Sequence, residues 1–389
     1  MHARLAAAAA VLVLAACGSG SSPSASHSPS STPAVTASPT GSAPPSTGTA
    51  TSPSASAPAG PASLVHCGVA VPSGDNLVIG SVAGDPTVVV RDIQDPANAK
   101  NLCTVDPAAL APQFVSATVV AYETPDNQIV KADLTSGATT VLATYASGFG
   151  SGQYSISPDG RSVTYMDGNA WRLAGPSGNR VLTTLPAAPG RGTNPDEDDS
   201  FLSFSPDGVY IALFQTYRTG GSGETAADQV RRAGDGTLAY STSGMTMAVW
   251  ASVPSRLFFR DASGNMHRWD SSSGLSSTLS LHWIRPHSSP DGRWIAYTFR
   301  TTSGVGGVGF YSVQGNSVAN TSPPGRSGVR FLNNDLVWYI GERACSTCFG
   351  GAPTPTGVAY IYDIAGASEI TARLAAVQDA WPHYTPPGL

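Results

Sequence analysis

Three stretches of this chain carry the same turn between the same kinds of strand: YSISPDGRSVTYMD (154–167), SFSPDGVYIALFQ (203–215) and HSSPDGRWIAYTF (287–299). In each, a short strand runs into Pro-Asp-Gly, a turn signal, and then into an alternating apolar strand. Degenerate copies fill the gaps at SATVVAYETPDN (116–127), SVPSRLFFRDAS (252–263) and FLNNDLVWYIGE (331–342). With the strand after each turn as a ruler, starts fall near Leu77, Thr118, Arg161, Gly208, Arg256, Gly292 and Asp335. The spacing is about 40–48 residues with one shorter interval.

A repeat of that length, holding about four strands, predicts the blades of a β-propeller. A helical repeat is disfavoured because no stretch sustains a 3.6-residue period and β-branched residues dominate. The Ser-Pro-Asp-Gly copies resemble TolB-type β-propeller repeats, and the resemblance covers Leu64 to Leu389. It implies an all-β, seven-bladed ring of four-stranded blades. It does not single out a function, because such propellers occur in binding proteins, peptidase accessory domains and enzymes alike.

Seven blades can be written out if the ring closes across the chain ends. WPHYTPPGL (381–389) looks like WIRPHSSPDG (283–292), so Ala380–Thr385 is expected to be the inner strand of blade one. Asp75–Ser81, Thr87–Asp92 and Asn101–Val105 would supply its outer three. Such closure leaves no open ring edge.

The N-terminus carries a different kind of signal. Arg4 precedes an apolar run from Leu5 to Ala16, as in a secretory signal peptide. Leu14-Ala15-Ala16-Cys17 resembles the lipobox of bacterial lipoproteins, which implies cleavage before Cys17, a diacylglycerol on its thiol and a further acyl chain such as palmitate on its amine. An ordinary secretory signal with a chance cysteine is the alternative. From Gly18 to Ser63 the chain is almost wholly Ser, Pro, Thr, Ala and Gly. Such a segment lacks the apolar surface to offset its ordering entropy, so a disordered tether is expected, reaching up to roughly 140 Å if extended. The organisation expected is therefore 1–16 signal peptide, 17–63 lipidated cysteine and tether, and 64–389 propeller. At 389 residues, two average domains were also within reach.

Charged residues make up 12% of the chain and the formal charge is −5, which argues against a nucleic-acid partner. Nothing after Ala16 reaches the roughly 18 apolar residues of a membrane span. Attachment to the membrane would rest on the lipid alone. With Cys17 acylated, Cys67, Cys103, Cys345 and Cys348 remain, an even number suited to an oxidising compartment. Sequence proximity favours Cys345 with Cys348, leaving Cys67 with Cys103.

Three unusual segments are expected on one rim of the ring: the insertion Thr216–Asp228, the acidic loop Asn194–Ser200 and the loop around Cys345 and Cys348. Insertions gathered on one face often mark a binding face. Asp196, Glu197, Asp198 and Asp199 suit a solvated acidic loop better than a Ca²⁺ site, since consecutive side chains do not converge on one ion. The Cys345/Cys348 pair reads as a structural clip, because zinc needs four ligands and no second pair is present. His287 and His383 are expected at equivalent places on inner strands, with Ser155 and Ser203 in the same position, facing the channel. Two histidines alone do not make a metal site. No cofactor and no metal are expected.

No Gly-x-Ser-x-Gly elbow, His-Glu-x-x-His or phosphate loop occurs in the propeller. The reading is a lipid-anchored, extracytoplasmic, monomeric propeller that binds or scaffolds an envelope protein or glycan. The alternative is an envelope enzyme, a glycan- or peptide-directed hydrolase or lyase, with its site at the channel mouth.

Overall fold

The structure is a computed structural model. It describes residues 60–72, 74, 76–146, 153–186, 200–219, 222–242, 244–251, 255–261, 263–300, 306–344 and 353–381. These form seven antiparallel sheets, six of four strands and one of five, each a propeller blade. Blade two spans Leu110–Thr144, blade three Tyr154–Thr184, blade four Ser200–Ser241, blade five Thr246–Leu279, blade six Ile284–Thr321 and blade seven Arg326–Ala372. No helix among the described residues is long and apolar enough to cross a membrane.

The repeated motif explains itself at atomic scale. In blade three the Ser157 hydroxyl donates to Asp159 (2.5 Å) and accepts from the Ser162 N–H (2.9 Å). Asp159 accepts from the Arg161 N–H, and Gly160 takes φ of 67°, which a Cβ would strain. Ser205 with Asp207 and Ser289 with Asp291 repeat these bonds at 2.6 and 2.7 Å. The Ser, Asp and Gly of the motif thus serve the hairpin between the first and second strands. In blade seven, Asn333 replaces the serine and accepts from the N–H groups of Asp335 and Leu336.

The second strand of each blade is buried on both sides. Val163 and Tyr165 pack against blade two, while Met166 points the other way into blade four. The hydrophobic core is accordingly a ring of clusters, one per blade junction. Burial of each such large side chain contributes about 1.5–3 kcal/mol.

Blade one is built from both ends of the chain, in the order Val65–Cys67, Lys100–Val105, Asp85–Asp92, Leu77–Val82 and Leu374–Trp381. Closure by the C-terminal part is as expected, but the strand lies earlier than Ala380–Thr385. Leu77 pairs with Trp381 and Val78 with Ala380. The likeness to WIRPHSSPDG misled because Trp283 precedes its strand whereas Trp381 ends one. Two register shifts also spread the buried residues to Leu374, Val377 and Ala380, which hides the two-residue alternation.

Val65–Cys67 adds a fifth, outermost strand to blade one, and Cys67 is disulfide-bonded to Cys103 beside it. Within the insertion Thr216–Asp228, residues 216–219 and 222–228 continue two strands. Tyr210–Thr219 and Ser222–Arg232 pair as far as Thr219 with Ser222.

Candidate channel site

The seven inner strands stand side by side around a cavity of about 980 Å³. Among the described residues no sheet joins one blade's inner strand to the next, so backbone groups at each junction need partners from elsewhere. Side chains supply many of them. The Asp379 carboxylate of blade one accepts the Phe114 N–H of blade two. Ser155 of blade three accepts the Phe204 N–H of blade four (3.1 Å), and Tyr154 donates to the Ala111 carbonyl (2.7 Å). Between blades four and five, the Trp250 indole donates to the Ser203 carbonyl at 3.4 Å.

Strand pairing brings one inner residue of each blade to a common position. Gln113, Ser155, Ser203, Val249, His287, Arg330 and Asp379 stand opposite Ala121, Thr164, Ala212, Phe258, Ala296, Trp338 and Ile79, each near the start of its second strand. All seven inner residues line the cavity. The expected equivalence of Ser155, Ser203 and His287 is therefore observed. In blade one the position belongs to Asp379, four residues before His383, because the closing strand lies earlier.

Bulges aim this ring of side chains. In blades two, five, six and seven the residue two places upstream has positive φ: Ala111 (47°), Met247 (51°), Arg285 (48°) and Gly328 (68°). A register shift spans each of these sites. For the three that are not glycine, this conformation costs roughly 1–3 kcal/mol, and bulges of this kind re-aim the residues that follow.

The chemistry of the ring is polar but restrained. His287 is hydrogen-bonded by Arg330 of blade seven, whose guanidinium is a donor only, so the imidazole accepts. Burial, and then the charges of Arg330 and Arg285, hold the His287 pKa well below the usual histidine range. The imidazole is neutral at physiological pH. The Ser203 hydroxyl is bonded to the Phe204 carbonyl at 3.0 Å. Tyr154, Phe201, Phe204, Trp250, Phe331 and Trp381 give the cavity an aromatic wall. A largely apolar concavity with a few placed polar groups is the usual form of a ligand site.

Sequence reasoning missed Gln113, Arg330 and Asp379, since the bulges shift them out of simple alternation. Asp196, Glu197, Asp198, Asp199, Cys345, Cys348, His383 and Cys17 lie outside the described residues. Among the described residues, no three His, Cys, Asp or Glu side chains are grouped to hold a metal ion.

The fold and channel define a seven-bladed β-propeller with a lined central cavity. Among solved structures, TolB from Acinetobacter baumannii is 22% identical over 66% of this chain, with a TM-score of 0.39. This chain spans about two thirds of that one, covering 65% of its length. Oligogalacturonate lyase from Vibrio parahaemolyticus is 11% identical over 76% of this chain and 84% of its own, with a TM-score of 0.50. A TolB-like protein from Agrobacterium tumefaciens is 14% identical over 73% and 88%, with a TM-score of 0.38. The likeness is one of fold. No family model and no curated protein matches the chain.

Proposed function

We propose that this protein is a binding module of the cell envelope, held outside the membrane by acyl chains on Cys17 and carried on the tether that follows. Its propeller receives an envelope protein or glycan at the channel. The observation that carries this reading is the ring of seven equivalent inner-strand residues converging on one cavity. Several of its polar groups are bonded to the neighbouring blade, which suits a preformed surface better than proton transfer or nucleophilic attack. The lipobox and the Cys67–Cys103 bond support an extracytoplasmic setting.

The test is crosslinking in intact cells from a photoreactive residue at Gln113, in the ring, against one at Leu275, an outer-strand residue that is 71% exposed. A discrete adduct from Gln113 and none from Leu275 is expected. Equal labelling from both positions would contradict the reading. Anchoring is tested separately: Cys17→Ala should move the protein out of the membrane fraction, and mature protein of unacylated mass would contradict it.

A further inference from the structure

The ring of seven is not electrically even. Gln113, Ser155, Ser203 and Val249, in blades two to five, are uncharged. Arg330 in blade seven is cationic, and His287 in blade six is held by it. The ring's carboxylate, Asp379, belongs to blade one and accepts the Phe114 N–H of blade two. Arg285, two residues before His287, adds a second positive charge that acts on the same imidazole. We propose that the wall between blades six and seven is a carboxylate-recognition site, with Arg330 as its anchor. The group it takes is a carboxylate on an apolar or aromatic body.

Three independent features point this way. The first is position: Arg330 is the cationic member of a ring that lines the cavity. The second is conformation: positive φ at Gly328 and Arg285 accompanies the bulges that precede Arg330 and His287. The third is the field, since these two arginines are the charges that depress the His287 imidazole. Phe331 and Trp381 line the same cavity and offer apolar surface for the rest of the ligand. A planar guanidinium matches a carboxylate fork, and low-dielectric walls strengthen the attraction.

This inference rests on the reading of the channel as a binding site. It is tested on the whole mature protein by intrinsic fluorescence, because Trp250 and Trp381 line the cavity. The probes are N-acetylphenylalanine, its amide, glucuronate and inorganic phosphate. Saturable binding of N-acetylphenylalanine, at least about tenfold tighter than its amide, is expected, with loss of about tenfold in Arg330→Gln and partial recovery in Arg330→Lys. Affinity of the unaltered protein should fall as salt rises, a readout independent of any variant. Glucuronate binding more tightly than the peptide acid would overturn the proposal, because its body is neither apolar nor aromatic. Equal binding of acid and amide, phosphate matching both carboxylates, or no saturable change with either carboxylate would overturn the proposal. Equal binding of acid and amide would leave the channel a binding site, and the in-cell crosslink decides that question separately.

Discussion

Asp379 and Phe114 are 265 positions apart in the chain and joined by a hydrogen bond, carboxylate to backbone N–H. The bond ties the closing strand of blade one to the inner strand of blade two. It adds a polar tie to a junction whose apolar core includes Leu77, Ile79, Phe114 and Tyr122.

Asp379→Ala should therefore weaken the ring more than a surface substitution does. Losing a charge-assisted hydrogen bond to a partly buried N–H costs about 1.5–3 kcal/mol. Chemical denaturation of the variant should show that loss, whereas deletion of Ser19–Pro58 should leave stability nearly unchanged. Deleting Leu374 onward removes the whole inner strand and should yield aggregating protein with exposed strand edges. Equal stability of the two truncations would contradict closure by this strand.

Cys67 and Cys103 enclose a separation of 36 residues. By loop-closure entropy, their bond is worth about 3–4 kcal/mol. Cys67→Ala with Cys103→Ala should lower the denaturation midpoint accordingly. Peptide mapping without reduction should recover the Cys67–Cys103 link, and finding either residue as a free thiol would contradict it.

Asp228 is buried on the third strand of blade four and accepts the backbone N–H of Gly244 in the link to blade five. Burial pushes its carboxyl up to about 7, against the opposing effect of the Gly244 and Met245 N–H groups. The folded-state pKa lies above the unfolded value of 3.8. Ionisation therefore costs stability above pH 7, and the cost is relieved as pH falls from 7 towards 4. Asp228→Asn should gain about 1–3 kcal/mol relative to the parent at pH 8, allowing for partial solvent access. The two should converge near pH 4. A difference independent of pH, measured by thermal unfolding across that range, would contradict the assignment.

The blades were legible in the sequence because their turn needs particular atoms. A serine hydroxyl, an aspartate carboxylate and a glycine with positive φ recur wherever Ser157, Ser205 and Ser289 begin the motif. The ring of the channel was legible only in part. Ser155, Ser203 and His287 stand at fixed offsets from that motif and could be aligned by it. Gln113, Arg330 and Asp379 could not, because blades two and seven lack the full motif and blade one has its hairpin split between the chain ends. The bulges at Ala111 and Gly328 add a residue that no alternation pattern reveals. The closing strand was misplaced for the same reason, its two register shifts turning a two-residue period into three.

The fate of a captured partner tests the central claim most directly. The partner crosslinked at Gln113 is to be identified, purified separately and mixed with the propeller, and its intact mass followed over hours. A stable complex with the partner's mass unchanged, and no turnover in excess partner, is the expected result. Progressive cleavage or chemical change of the partner, abolished by altering ring residues such as His287, would contradict a binding module and establish an enzyme at the channel.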